Sequence, residues 1–342
     1  MNTDKKNPSS NLQQIVHLSY FLLSFTFCFL YYYKVIKPAN FNALSGIDAV
    51  LSFSTFKPFQ YRLLIPFIYK ILSLPGFLPP KVLFLLLSAV IVYFILIVYR
   101  LILEEYFPGN KLNVILAVLI LYPMTWNYIL LNQLFSFYDF SSILFYTLAM
   151  YMVLKEKFGM LVIVFAIGLI NKETIAFIIP AFIFYNYRRI FSKDVIMKSS
   201  LLVLIFVLFK GIMFYIFRNN PGNIVEIAIR GNLDMLKNLF QNYIYIKNIF
   251  LNFGAMYIFA VLLAVKLFRG LEIPGISREK IYINYVFVIY LVLGIYIIYF
   301  TEVRVYAELM PMLTTLFILY LSTYIKLGIN LSDTDKNFIN GQ

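Results

Sequence analysis

Residues 82–103 read VLFLLLSAVIVYFILIVYRLIL, and the only ionisable side chain of Asp, Glu, Lys, Arg or His type in this stretch is Arg100. A straight transmembrane helix needs roughly 20 mostly apolar residues, because the hydrocarbon core is about 30 Å thick and a helix rises 1.5 Å per residue. The stretch therefore predicts a helix that crosses a bilayer.

The rest of the chain has a similar character. Of its residues 62% are hydrophobic and 13% charged, with a mean hydropathy of +0.82, whereas a soluble domain is about half apolar and a quarter charged. Further apolar segments flank the first one, and they cover the ranges 14–35, 112–131, 136–154, 158–170, 174–187, 198–217, 250–265, 281–300 and 305–325. We predict an all-α polytopic membrane protein with about ten transmembrane segments.

The charge distribution predicts the orientation. The net charge is +13, which in a soluble protein would suggest nucleic acid, but cationic residues also flank membrane spans on the cytoplasmic side. With both termini inside, the short inner loops are basic and the short outer loops nearly lack Lys and Arg. We therefore expect a multi-pass protein of the plasma or inner membrane, with an uncleaved first span, cytoplasmic termini and no nucleic-acid partner.

The predicted organisation is one transmembrane domain over residues 1–326, with outer loops at 36–81 and 219–249 and a polar cytoplasmic tail at 327–342. In the second loop, apolar residues recur at helical intervals, which predicts a helix lying in the membrane interface. One cysteine, Cys28, excludes an intramolecular disulfide, and the single histidine, His17, has no metal-ligand cluster around it. We predict no cofactor; a divalent metal is compatible with the chemistry below but is not indicated.

Two adjacent segments, 158–170 and 174–187, are too short to cross a bilayer straight. Their connection reads Asn171-Lys172-Glu173-Thr174, so it should lie below the outer surface. Charged turns at such depth occur where they are buried in protein or line a wet cavity. We therefore expect Lys172 and Glu173 to line a cavity open to the outside.

This topology brings several polar residues to the outer side, from four separate connections. Ionisable residues near or within spans are costly and usually face a cavity or a partner, so we predict one extracytoplasmic pocket of carboxylates and cations. Its candidate catalytic residues are Asp48 and Asp139. Its candidate substrate-binding residues are Gln60, Tyr61, Arg62, Lys172, Glu173, Glu302, Arg304 and Glu308.

Structural interpretations of these residues stay open. Asp48 and Asp139 both precede helical patterns and are suited to helix N-termini. Arg62 could extend to lipid headgroups. Arg304 and Glu308 are spaced i, i+4 and could form an ion pair.

In the functional interpretation, Arg62, Lys172 and Arg304 hold a phosphate or diphosphate leaving group and stabilise the negative charge that grows on it. A carboxylate, preferably Asp48, takes the proton of an acceptor hydroxyl as general base. A lipid-anchored donor would enter between spans.

The stretches GIDAV (46–50), FKPFQYRLLIP (56–66), NKET (171–174) and EVRVYAELMP (302–311) resemble those of the GT-C superfamily of integral membrane glycosyltransferases, in particular a mannosyltransferase-like bacterial branch. The resemblance implies a GT-C-like fold, a polyprenyl-phosphate-linked sugar donor and a glycan or lipid acceptor. It also implies a catalytic acid in the first outer loop, here Asp48, and a further acid in the second, which corresponds to Asp139.

Two other functions remain open. The broken short segments are also a feature of transporters, and Lys210 inside the seventh segment favours transport or flipping of a polyprenyl-linked substrate. A glycan polymerase or ligase would use the same cations. The depth of the site distinguishes them, because transporter sites lie near the midplane.

Overall fold

The computed structural model describes residues 8–38, 47–131, 138–222, 229–238, 252–297 and 303–325. Every regular element in these ranges is helical, which confirms the all-α prediction for this part of the chain. Four helices are long and apolar enough to cross a membrane, and they cover Asn11–Ile36, Pro80–Tyr106, Asn113–Leu130 and Lys193–Ile216. Several shorter apolar helices accompany them.

The N-terminal half contains three of these long apolar helices and the segment 36–81, which the sequence predicted to be the first outer loop. Its helices are α1 (Pro8–Tyr31, continued by a π-helical turn Tyr32–Ile36), α2 (Ile47–Leu51), α3 (Leu64–Ser73), α4 (Pro80–Tyr106), α5 (Asn113–Val118) and α6 (Leu121–Met124, continued as a π-helix Thr125–Leu130). Pro79 and Pro80 start α4, where the fixed φ of proline suits the first helical turn.

The central part contains α7 (Asp139–Leu154), α8 (Phe158–Asn171), a 3₁₀ turn (Glu173–Phe177), α9 (Ile178–Tyr185) and α10 (Lys193–Ile216). Between α7 and α8 lies a turn in which Glu156 has φ +54°, so the two helices form an antiparallel hairpin. The end of α8 therefore returns to the start of α7.

The C-terminal part contains α11 (Ile229–Lys237), α12 (Met256–Phe268), α13 (Arg278–Tyr282), α14 (Val286–Ile297) and α15 (Met310–Ser322). Two 3₁₀ segments, Asn252–Ala255 and Val303–Leu309, precede α12 and α15. Helix α11 lies within residues 219–249, where the sequence predicted a helix in the membrane interface.

Helix α7 is central in the bundle. Phe140, Ile143, Tyr146 and Met150 on this helix are fully buried, and the helix packs against α4, α8 and the 3₁₀ segment Val303–Leu309. By contrast, the buried residues of α10 are only Val195, Leu202 and Met213. An apolar helix that exposes most of its side chains faces lipid when the protein is in a membrane.

The first outer loop is fastened to the residues that follow α10. The Asn220 amide donates hydrogen bonds to the backbone oxygens of Phe53 and Thr55 at 2.8 and 2.9 Å, and the Lys57 backbone N–H donates to Pro221 at 2.9 Å. These bonds hold residues 53–62 over the end of α10.

Candidate functional site

The junction of α7 and α8 is closed by the side chain of Asn171. Ser141 donates a hydrogen bond to its Oδ1 at 2.7 Å. Its Nδ2 donates to the Ser142 hydroxyl at 3.1 Å and to the Tyr138 backbone oxygen at 3.2 Å. All three polar side chains are buried, so this network fixes the residue that follows Asn171 relative to the start of α7.

That residue is Lys172, and it lies between two carboxylates. Its Nζ is 3.6 Å from Oδ1 of Asp139 and 3.0 Å from Oε1 of Glu308. The exposed fractions of the three side chains are only 1–2%. Glu308 also accepts hydrogen bonds from the Thr174 hydroxyl and, at 3.1 Å, from Tyr290. The ammonium is therefore held in a dry environment by carboxylates from two separate segments.

The backbone explains why Lys172 can face inward. It has φ −165° and ψ 131°, an extended conformation that ends α8 before the 3₁₀ turn begins. The break between the two short segments was predicted from their lengths, and the structure confirms it. The sequence predicted that Lys172 and Glu173 both line a cavity open to the outside, but the Lys172 side chain is only 2% exposed, whereas that of Glu173 is 20% exposed.

A second group of charges adjoins the first. Arg62 donates a hydrogen bond to the Tyr138 hydroxyl, and its guanidinium lies over the Phe59 and Tyr138 rings at 4.7 and 4.4 Å. Its Nη2 is 4.0 Å from Oε1 of Glu173, whose Oε2 is 3.9 Å from Nζ of Lys210. Glu173 therefore lies between two cations that reach it from the first outer loop and from α10.

We call the following six residues the charged cluster: Arg62, Asp139, Lys172, Glu173, Lys210 and Glu308. It contains three cations and three carboxylates. Lys172, Asp139 and Glu308 form its closed part. Arg62, Glu173 and Lys210 form its open part, with side-chain exposed fractions of 11–20%.

Several buried polar atoms at the open part have no hydrogen-bond partner among the residues that the structure describes. They include the Tyr61 hydroxyl, Nε of Arg62 and Oε2 of Glu173. Buried polar atoms are nearly always hydrogen-bonded to protein or to ordered water. Three such atoms within one group indicate a place where polar atoms of a ligand or water belong.

Two consecutive residues of the loop before α3, Tyr61 and Arg62, have shifted pKa values. Burial and, to a lesser extent, the Glu173 carboxylate raise the pKa of Tyr61, so its phenol is protonated at neutral pH and can donate. Burial acts to lower the pKa of Arg62, but Tyr138, Glu173 and Asp139 together raise it. The guanidinium is therefore permanently charged.

The cluster lies near one end of the helices that contribute to it. Helix α8 has 14 residues and is thus about 21 Å long, shorter than a hydrocarbon thickness of about 30 Å, and Lys172 and Glu173 directly follow its end. Lys210 precedes the end of α10 at Ile216 by six positions, or about 9 Å.

The predicted residue Asp48 has a different environment. It is exposed and lines a cavity of about 550 Å³ at the ends of α1, α2, α3 and α4, together with Tyr32, Tyr69, Lys70, Pro80 and Lys81. We call this the Asp48 cavity. No residue of the charged cluster lines it.

Gln60 is held within its own loop. Its Nε2 donates to the Val50 backbone oxygen at 2.8 Å, and its Oε1 accepts from the Thr55 backbone N–H at 3.1 Å. Because these contacts join α2 to the segment before α3, the structure gives Gln60 a role in shaping the loop that presents Tyr61 and Arg62.

The positions of two predicted site residues cannot be compared with the prediction. Glu302 lies outside the described residues, and so does the side chain of Arg304. Thus the structure brings together Tyr61, Arg62, Asp139, Lys172, Glu173 and Glu308, with Asp48 in the separate cavity.

Sequence reasoning did not assign Lys210, Thr174 and Tyr290 to this pocket, nor Lys70 and Lys81 to the Asp48 cavity. An ionisable residue inside an apolar span is itself a signal, and Lys210 carried that signal. The other four residues meet site residues that are distant in the sequence, so no local sequence pattern predicts their contacts.

The chain matches no family model, no curated protein and no solved structure. Among the described residues, no three His, Cys, Asp or Glu side chains are grouped as metal ligands would be.

Proposed function

We propose that the protein is an integral membrane glycosyltransferase that moves a sugar from a polyprenyl-phosphate donor to a lipid-linked or cell-surface acceptor. The observation that carries this proposal is the open part of the charged cluster, in which Arg62 and Lys210 flank the carboxylate of Glu173 near the end of the helices. This arrangement offers two cations to a phosphate and one carboxylate to a hydroxyl.

The two cations are available to a phosphate because neither is tightly paired. Their nitrogens lie 4.0 and 3.9 Å from Glu173, which is longer than a charge-assisted hydrogen bond of about 2.7–2.9 Å. A phosphate oxygen entering between them gains two closer partners. As the bond from the anomeric carbon to the phosphate oxygen breaks, negative charge grows there and both cations stabilise it.

Glu173 is the carboxylate best placed to act as general base. The acceptor oxygen forms a bond to the anomeric carbon, its proton passes to Glu173, and the electron pair of the broken bond leaves with the phosphate. Asp139 and Glu308 both form ion pairs with Lys172 in the closed part. Their role is to position that lysine. Asp48 remains the alternative base, in its own cavity.

Lipid access supports a polyprenyl donor. Helix α10 exposes most of its apolar side chains, and Lys210 lies on this helix. A polyprenyl chain lying along α10 in the bilayer would bring its phosphate to the level of Lys210. The basic turn with Lys155 and Lys157 at the other end of the α7–α8 hairpin supports an extracytoplasmic position for the cluster.

The test is an assay of purified protein in liposomes for release of undecaprenyl phosphate from undecaprenyl-phosphate mannose, glucose or galactose. Glu173→Gln should lower the rate at least about 100-fold, as expected for loss of a general base. Asp234→Asn on exposed α11 is the matched control and should leave the rate unchanged. A normal rate in Glu173→Gln with a large loss in Asp48→Asn would transfer the base assignment to Asp48.

Transport of a polyprenyl-linked substrate is the second candidate function. It is favoured by Lys210, which lies within a helix long enough to span the membrane, and by the equal numbers of cations and carboxylates in the cluster. A transporter would move a fluorescent undecaprenyl-phosphate sugar across the liposome membrane without releasing its phosphate carrier. That result, with no sugar transfer under any acceptor condition, would replace the proposed transferase.

A further inference from the structure

The Asp48 cavity has the size and composition of a ligand site. Its volume of about 550 Å³ lies within the range of roughly 300–1,000 Å³ that small-molecule sites occupy. Lys70 comes from α3 and Lys81 from the first turn of α4, whereas Asp48 comes from α2. The lining therefore presents two ammonium groups and one carboxylate from three helices.

The charged residues that line the cavity are two lysines and one aspartate, which give it a net charge of +1. Nζ of Lys81 also donates a hydrogen bond to the backbone oxygen of Lys37 at 3.3 Å. The residues 39–46 that connect Lys37 to α2 read ANFNALSG and contain no ionisable side chain. The local charge is thus positive, and it suits an anion.

The apolar surface beside the cavity indicates what kind of anion it is. Helix α3 and the residues after it expose large hydrophobic side chains, and Phe77 is 87% exposed. The others are Phe67, Ile71, Leu72, Leu74 and Leu78. These residues belong to the helix that supplies Lys70 and Ser73 to the cavity, or directly follow it. Exposed apolar side chains beside a charged cavity suit an amphiphile whose head enters the cavity and whose tails cover them.

We propose that the Asp48 cavity binds the headgroup of an anionic, hydroxyl-bearing membrane phospholipid. Lys70 and Lys81 hold the phosphate, and Asp48 accepts a hydrogen bond from a headgroup hydroxyl. The acyl chains lie over Ile71, Leu74 and Phe77. This site goes beyond the proposed function, since it needs no sugar transfer.

The experiment is a native mass-spectrometry titration of the full chain in detergent with phosphatidylglycerol, phosphatidylcholine, phosphatidic acid and inorganic phosphate. Wild-type protein should retain phosphatidylglycerol in preference to phosphatidylcholine. Lys70→Gln/Lys81→Gln should weaken phosphatidylglycerol binding by about tenfold or more, because each cation near a membrane surface contributes substantially to anionic-lipid attraction. Lys70→Arg/Lys81→Arg, which keeps both charges, should retain most of the binding.

The matched control is Lys111→Gln/Lys157→Gln, since both lysines are exposed and neither lines the Asp48 cavity. Equal losses in the control and cavity variants would overturn the proposal. So would displacement of the lipid by millimolar inorganic phosphate, which would show a site for free phosphate. Asp48→Asn provides a further test. It should tighten binding of phosphatidic acid, because the variant lacks the carboxylate that repels the phosphate. It should also reduce the preference for phosphatidylglycerol over phosphatidic acid. Since binding is measured without turnover, this proposal and the proposed transferase can fail separately.

Discussion

Nζ of Lys172 lies 3.0 Å from Oε1 of Glu308, although six of the described α-helices, α9 to α14, lie between them in the sequence. Asp139 lies on the other side of the same ammonium. One buried cation thus joins the start of α7, the end of α8 and the segment before α15.

Replacement of this cation should destabilise the protein strongly. In Lys172→Met two buried carboxylates lose their common counter-charge, and breaking a buried pair costs about 3–5 kcal/mol. Thermal unfolding of the purified protein in detergent should show a large decrease in Tm. The double variant Lys172→Met/Glu308→Gln should recover part of it, because one uncompensated charge is removed; additive losses would contradict the pairing.

Asn171 should matter for stability through its side-chain amide. Asn171→Ala removes three buried hydrogen bonds. The Ser141 hydroxyl loses an acceptor, and the Ser142 hydroxyl and the Tyr138 backbone oxygen each lose a donor. We expect the free energy of unfolding to fall by about 1–3 kcal/mol. The same melting experiment measures it. Asn219→Ala, at an exposed asparagine in the turn after α10, is the control and should change Tm much less. Equal effects of the two substitutions would argue against the network at the α7–α8 junction.

The guanidinium geometry of Arg62 should be needed for activity, beyond its charge. Arg62→Lys keeps the positive charge but loses the planar group that lies over Phe59 and Tyr138, and Lys cannot reproduce a forked contact with phosphate. We expect the donor-cleavage rate to fall at least about tenfold with little change in Tm. Arg218→Lys, at an exposed arginine on the same end of α10, should leave the rate unchanged. An unchanged rate in Arg62→Lys would remove Arg62 from the phosphate site.

Gly222 should tolerate no side chain. Its φ is +91°, and a Cβ there would lie 2.6 Å from the Lys57 backbone oxygen. Gly222→Ala should therefore separate the two outer loops and destabilise the protein by about 1–3 kcal/mol, which a Tm measurement detects. Gly211→Ala in α10 meets nothing within 4 Å and should be neutral or slightly stabilising. Hydrogen exchange at residues 53–57 should increase only in the Gly222 variant.

Local sequence patterns were sufficient for some parts of this structure. The helical class follows from apolar runs, and the break at Lys172 follows from the lengths of two short segments. Asp139 and Lys172 were predicted to share one pocket, and they do lie together, because the antiparallel hairpin brings the start of α7 beside the end of α8.

Other parts depend on contacts that no local pattern encodes. Glu308 was paired in one interpretation with Arg304, whose side chain lies outside the described residues. The described partners of Glu308 are Lys172, Thr174 and Tyr290, which are distant in sequence from it or lie on another helix. Asp48 and Arg62 share one loop of the sequence, yet they face different polar sites. The direction in which each side chain points is decided by how α2, α3 and the turn between them pack, and the hydrogen bonds of Gln60 hold that turn.

The position of Lys172 between its two carboxylates also has a consequence for synthesis. A ribosome delivers Asp139 first, Lys172 soon afterwards on the adjoining helix, and Glu308 only after α9 to α14 have been made. The hairpin of α7 and α8 can thus enter the bilayer with one opposite charge already beside the lysine. Its full compensation waits for nearly the last segment of the chain. A nascent chain interrupted before Glu308 therefore carries a buried lysine with only one of its two carboxylates. The final packing of these ion pairs requires synthesis of the segment Val303–Leu309, which directly precedes α15.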